Sequence, residues 1–242
     1  MTRAGGRKSI FITGAASGIG AETARHFSKR GWFCGLYDVN TAGLDAVEAE
    51  IGASNCMKAK LDVRNREDWA AATKDFGEAT EGAMNVLFNN AGIGRHGWFE
   101  DITGEDNDAI IDINVKGVVN GVQAALPLLK ATSGARVVNT ASTAGVVGSP
   151  QLAVYSATKF AVRGLTEALD AESQDVGPIA REWHECVPGL DGRGTRLGRR
   201  SWKRYALYGG QGCRAGPFHG ALVTGGDPQA CARGRTLSRL GR

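Results

Sequence analysis

Along residues 1–173 the apolar positions follow two alternating rhythms. Five short segments are largely apolar and rich in β-branched or aromatic residues: 8–13 (KSIFIT), 33–38 (FCGLYD), 56–62 (CMKAKLD), 84–89 (MNVLFN) and 135–141 (ARVVNTA). Apolar runs of this length are what strands of a parallel sheet require, because helices cover such a sheet on both faces. The intervals between them carry apolar residues at helical spacing. Strand and helix in regular alternation predict repeated βαβ units, and so an α/β, doubly wound parallel sheet in a single domain. The longest interval predicts a helix over 105–130, with Thr103 as its N-cap and Asp106, three residues on, closing a capping box. Pro127 has no N–H to give and is expected to bend the last turn. A further helix is predicted over 152–173.

At about residue 174 both rhythms stop. Residues 189–216 (GLDGRGTRLGRRSWKRYALYGGQGCRAG) show neither period. The charge changes with the pattern: residues 1–173 carry 17 basic and 20 acidic side chains, whereas 174–242 carry 12 basic, 11 of them arginine, and 5 acidic. The chain therefore divides into a core of 1–173 and an arginine- and glycine-rich segment of 174–242 whose composition resists packing. One expectation is that this segment translates a shifted reading frame of a GC-rich gene. The alternative is a genuine basic tail for anions or nucleic acid, although no aromatic interleaving or known nucleic-acid module accompanies the charge.

Composition otherwise describes an ordinary soluble protein, with 42% apolar and 22% charged residues. Five cysteines, odd in number and without C-x-x-C spacing, argue against a disulfide framework and a zinc site and point to a reducing cytoplasm. The basic N-terminus is followed by too short an apolar run for a signal peptide or a membrane span.

Candidate chemistry begins where the first strand meets the first helix, at TGAASGIG (13–20). Gly14, Gly18 and Gly20, with Ser17 and Ile19 between them, allow a tight turn and let a pyrophosphate approach the amides of the helix N-terminus. Asp38 ends the second strand, where a carboxylate accepts hydrogen bonds from both hydroxyls of an adenosine ribose and repels a 2′-phosphate. With neutral Leu36 and Tyr37 before it, Asp38 points to NAD over NADP; its plain alternative is a solvated strand end. Asp62 and Val63 close the third strand, where adenine would cross the carboxyl ends of the sheet. NNAG (89–92) closes the fourth and makes Asn90 a candidate cofactor contact, although asparagine and glycine are also ordinary loop formers. Two further motifs follow: NTASTAG (139–145), which contains Ser142, and YSATK (155–159), which puts Tyr155 and Lys159 on one helix face.

In order and spacing, TGAASGIG, NNAG, NTASTAG and YSATK resemble the short-chain dehydrogenases/reductases of the Tyr-x-x-x-Lys type, over about residues 7–173. The resemblance implies a Rossmann-like fold and a metal-free, NAD-dependent transfer of hydride between nicotinamide and a secondary alcohol or ketone. Tyr155 is then the general acid/base, and Lys159 holds the nicotinamide ribose and acidifies the tyrosine. Ser142 bonds the substrate oxygen, and Asn114 positions a water leading from Lys159 towards solvent. A homodimer or homotetramer packed through the helices over 105–130 and 152–173 is implied as well. The family's sixth and seventh strands and its Pro-Gly turn have only faint counterparts, in Pro188 and Gly189 and in ALVTGG (221–226). That keeps open a second reading, an NAD-binding protein without turnover.

Elementary electrostatics supports the Tyr155–Lys159 pair without the family. Lowering the pKa of a phenol, about 10 in water, by roughly 3 units needs about 4 kcal/mol in favour of phenolate. One cation about 5 Å away supplies roughly 3 kcal/mol at an effective dielectric near 20. His26, His96, His184 and His219 lack metal-ligand spacing and read as surface or loop residues. Trp98 and Phe99 stand where the family lines its substrate pocket, or else pack a loop.

Overall fold

The five strands predicted within residues 1–173 form, each with its ends within two residues of the apolar run that announced it. The computed structural model describes residues 2–176. Its strands are β1 (Ser9–Thr13), β2 (Phe33–Asp38), β3 (Cys56–Lys60), β4 (Val86–Asn89) and β5 (Arg136–Asn139). They pair in parallel throughout, in the order β3-β2-β1-β4-β5. The helices are α1 (Gly18–Ser28), α2 (Thr41–Ile51), α3 (Arg66–Ala79), α4 (Gly104–Ile111), α5 (Gly117–Ala131) and α6 (Ala153–Val176). The chain steps outward from β1 through β2 to β3, then crosses back to β4 on the other side of β1. Loops leaving β1 and β4 therefore part in opposite directions and open a crevice at the carboxyl ends of these two strands.

Successive side chains of each strand face opposite layers. Phe11, Tyr37, Leu87 and Val137 meet Trp69 and Phe76 of α3 and Val122 and Leu129 of α5 in one core. Ile10, Ile12, Leu36 and Phe88 meet Ala21 and Ala24 of α1 and Leu44 and Val47 of α2 in the other. In the first core Phe11 stacks on Tyr37 with ring centroids 3.9 Å apart and on Trp69 at 5.5 Å. Full burial of rings of this size stabilises the fold by about 2–3 kcal/mol each.

The helix expected over 105–130 is interrupted. Between α4 and α5, residues Asp112–Lys116 form one turn of π-helix, and the N–H of Gly117 donates to the carbonyl of Asp112. Thr103 caps α4 as expected, its Oγ1 accepting from the Asp106 N–H at 3.1 Å. The reciprocal half of the capping box is replaced: the Asp106 carboxylate accepts from Arg95 Nε at 2.9 Å. Pro127 lies inside α5, which continues to Ala131. α6 runs past Ser173 to Val176. The expectations for residues beyond Val176, namely a shifted reading frame or a genuine basic tail, a turn at Pro188 and Gly189 and a strand at 221–226, lie outside the described residues. Among the described residues no helix is long and apolar enough to cross a membrane.

Candidate active site

The crevice is floored by the loop between β1 and α1. Gly14 and Gly18 adopt left-handed backbone, with φ of +66° and +52°, which side-chain-bearing residues resist. Gly20 is required by contact instead, since a Cβ there would lie 2.1 Å from the Gly14 carbonyl oxygen. Ser17 is the N-cap of α1 and its side chain makes no capping bond. Its hydroxyl and the first N–H groups of the helix are therefore free to meet an anion. Ile19, beside them, is 43% exposed.

Asp38 closes this loop onto β2. One carboxylate oxygen accepts from Ala16 N–H at 3.1 Å and the other from Asn40 N–H at 3.0 Å, leaving lone pairs for further donors. Asp62 is clasped by its neighbour Arg64, with Nη2 at 2.6 Å and Nε at 2.9 Å, and the guanidinium holds its carboxyl below the usual range. Val63 turns its side chain into the core against Gly117, and its carbonyl accepts from Trp69 Nε1 at 3.0 Å and Asn120 Nδ2 at 3.1 Å. The amide of Asn90 is spent across the sheet: Nδ2 donates to the carbonyls of Thr13 at 3.1 Å and Gly14 at 3.3 Å, and Oδ1 accepts from Thr140 Oγ1 at 3.1 Å.

On the opposite wall β5 leads through Thr140 to Ser142, and α6 presents Tyr155 and Lys159. Ser142 Oγ accepts from the Ala144 N–H at 3.2 Å, which leaves its own proton to be donated elsewhere. The Lys159 side chain crosses over the Tyr155 ring, its Nζ 5.6 Å from the centroid, and donates to the Thr140 carbonyl at 2.8 Å. Lys159 is 5% exposed. Burial alone lowers its pKa to about 8. The ring of Tyr155 packs against the loop after β4, where a Cβ on Gly94 would lie 3.3 Å from Cδ2.

Asn114 sits in the π-turn, 1% exposed. Its Oδ1 accepts from Ile93 N–H at 2.8 Å, and its Nδ2 donates to the Ile93 carbonyl at 2.8 Å and to Thr158 Oγ1 at 3.1 Å. The side chain thus holds the loop after β4 against α6. A Cβ on Gly92 would lie 3.2 Å from Asn114 Oδ1 and 3.7 Å from Lys159 Nζ, so the three groups converge.

Ser142, Tyr155, Lys159 and Asn114 are therefore brought to one wall, and Gly14, Ser17, Gly18, Ile19, Gly20 and Asp38 to the floor. Val63 packs away from the crevice, and Asp62 and Asn90 are engaged within the protein. Reading the motifs missed Thr13 and Thr140. Thr13 Oγ1 accepts from the N–H groups of Asn90 at 3.0 Å and Ala91 at 3.1 Å. The available signal was a polar residue at the carboxyl end of a buried strand, inside or beside each motif.

A family model described as short chain dehydrogenase matches residues 8–181. An uncharacterized oxidoreductase of Staphylococcus saprophyticus is 36% identical over 178 residues, 72% of this chain and 70% of its own. Oxidoreductase UcpA of Escherichia coli is 38% identical over 172 residues, covering 70% of this chain and 65% of its own, so the chain spans about two thirds of the length of these relatives. Among solved structures, a short chain dehydrogenase/reductase from Burkholderia phymatum in complex with NAD superposes with a TM-score of 0.70 at 28% identity, over 85% of this chain and 81% of its own. The family match covers the parallel sheet, the glycine-rich turn and the wall formed by Ser142, Tyr155 and Lys159, and the chain belongs to the short-chain dehydrogenase family of oxidoreductases.

Proposed function

We propose that the protein is an NAD-dependent oxidoreductase that moves a hydride between nicotinamide and a secondary alcohol or ketone, with Tyr155 as general acid/base. The observation that carries this reading is the state of Lys159. It is an ammonium at 5% exposure, over the Tyr155 ring, and among the described residues no carboxylate pairs with it. A buried cation without a counter-ion costs stability, and perturbed groups of this kind concentrate at functional sites. With its pKa near 8, Lys159 remains protonated at neutrality. Its place over the Tyr155 ring puts the cation against the group whose hydroxyl would exchange the proton.

The residues of the floor fit a dinucleotide. Free N–H groups and the Ser17 hydroxyl would hold the pyrophosphate, open space surrounds the Cβ position of Gly18, and exposed Ile19 would give apolar cover. Asp38, held by two amides, keeps lone pairs for the adenosine ribose and disfavours a 2′-phosphate, hence NAD over NADP. Bound nicotinamide would accept or deliver the hydride. Tyr155 takes or returns the proton of the substrate oxygen, and Ser142 donates its free proton to the same oxygen. Lys159, with one N–H engaged by Thr140, has two left for the nicotinamide ribose and for passing the proton on. Asn114 serves that path by holding Gly92 and Ile93 beside the ammonium, its own amide being committed. Asn90 shapes the loop through Thr13 and Gly14, while Asp62 and Val63 would meet adenine with backbone groups alone, the Asp62 carboxylate being held by Arg64 and the Val63 side chain packed in the core. Ile111 and Phe160, 46% and 43% exposed on α4 and α6, support a homodimer or homotetramer, in a reducing cytoplasm.

The test is Tyr155→Phe assayed with NAD and a panel of secondary alcohols, beside NADH binding followed by fluorescence. Turnover is expected to fall about 10²–10⁴-fold, with binding retained. Turnover that survives the change removes the assigned base. Binding by the wild type without oxidation of any alcohol leaves a dinucleotide-binding protein without turnover.

A further inference from the structure

We propose that Thr140 is a positioning residue that couples the Lys159 ammonium to the glycine-rich loop, an inference that rests on the role just given to Lys159. Thr140 stands one residue beyond the last rung of the β4–β5 ladder, Asn89↔Asn139. A single backbone bond holds it to the sheet, from its N–H to the Asn89 carbonyl at 3.0 Å. Its own carbonyl is the acceptor for Lys159 Nζ at 2.8 Å. That ladder bond constrains the Asn139–Thr140 peptide and leaves the Thr140–Ala141 peptide, which carries this carbonyl, to be steadied by the Thr140 hydroxyl, which donates to Asn90 Oδ1 at 3.1 Å.

Asn90 carries the link onward. Its Nδ2 bridges the carbonyls of Thr13 and Gly14, so the orientation of this amide is fixed by chemistry: a flipped amide would set its oxygen against two carbonyls. Gly14 is the left-handed residue that starts the glycine-rich turn. A continuous path therefore joins the Lys159 ammonium, the Thr140 carbonyl and hydroxyl, the Asn90 amide and the first turn of the loop. The backbone of α6 gives no freedom on the other side, since a Cβ on Gly145 would lie 2.8 Å from the Lys159 carbonyl oxygen. With α6 fixed, the place of the ammonium depends on where the Thr140 carbonyl points. A pyrophosphate settling on the loop acts on the same path from the far end, so cofactor occupancy and placement of the cation become linked.

Thr140→Val keeps the volume and the carbonyl and removes the donor to Asn90, whereas Thr140→Ser keeps the donor. Two readouts independent of turnover distinguish this link from the activity itself: the dissociation constant of NADH, and the titration of the Lys159 side chain by NMR without cofactor. In the Val variant NADH is expected to bind about fivefold more weakly, the effect of one hydrogen bond. The Lys159 midpoint falls by about 0.5 unit, because a looser acceptor stabilises the ammonium less. Ser restores both. A Val variant with wild-type affinity and a wild-type Lys159 midpoint, and only a lower melting temperature, overturns the proposal and leaves the hydroxyl a structural bond.

Discussion

An ammonium at 5% exposure with a carbonyl as its acceptor, as at Lys159, is unfavourable to keep charged. Its pKa is about 8 in the folded protein and about 10.4 in an unfolded chain. Between these values the unfolded state binds more protons, so the contribution of Lys159 to stability improves as pH rises; below about 8 the penalty is complete and constant. Lys159→Met is therefore expected to stabilise the protein at pH 7, on the order of 2 kcal/mol after loss of the bond to Thr140. The difference should shrink steadily between pH 8 and 10, and urea denaturation across that range measures it. A difference that does not change with pH would mean that the ammonium is not depressed. At this scale the sequence displayed Tyr155, Lys159 and Ser142 plainly, because helical spacing places the first two on one face and a motif frames the third. Thr140 was hidden because its work is done by a main-chain carbonyl and by a hydroxyl bonded to a residue 50 positions away. Arg64 was visible two residues after Asp62, but nothing in the spacing says that a guanidinium will occupy that carboxylate.

Hydrophobic periodicity read the helices and strands well and the defect between α4 and α5 not at all. A π-turn inserts one residue into a helix, and an apolar stripe as wide as the one on α5 absorbs that slip without a break in its pattern. What holds the turn lies elsewhere in the sequence. Asn114 replaces lost helical regularity with three hydrogen bonds, two of them to the backbone of Ile93. Asn114→Ala strips both polar groups of Ile93 of their partner and is expected to cost about 2–3 kcal/mol. Because those bonds tie the loop after β4 to the helix, amide exchange at Ile93 should accelerate more than exchange in β1 or β2. Protection at Ile93 that survives the substitution would show that the loop is held by its contact with the Tyr155 ring instead. The carboxyl ends of β3 and β5, each shorter than its apolar run, have a related cause. There each chain keeps one last bond to its neighbour, Leu61 N–H to the Asp38 carbonyl at 3.1 Å and Thr140 N–H to the Asn89 carbonyl at 3.0 Å, before it leaves the sheet to line the crevice.

The two layers of the molecule can be tested as one cooperative unit through Cys34 and Cys56. They are Cα partners across β2 and β3, 0% and 1% exposed and unbonded to each other, in the layer that α1 and α2 cover. Burial pushes their thiols up to about 12 and about 11, so at pH 8 the reactive thiolate is nearly absent from the folded state. Alkylation by iodoacetamide then requires α1 or α2 to leave the sheet. Where closing outruns alkylation, the labelling rate reports the free energy of opening. Asn114 belongs to the opposite layer, across the sheet from both cysteines. If the layers unfold together, Asn114→Ala should speed labelling at Cys34 and Cys56 alike, by roughly 30-fold for a destabilisation of about 2 kcal/mol. Peptide-level mass spectrometry resolves these two sites from the remaining cysteines of the chain. Acceleration at neither site would mean that the layer of α1 and α2 opens independently of the wall that carries Tyr155 and Lys159. A larger acceleration at Cys56 than at Cys34 would place the boundary between β3 and β2, and so between Asp62 just past the end of β3 and Asp38 on the crevice floor.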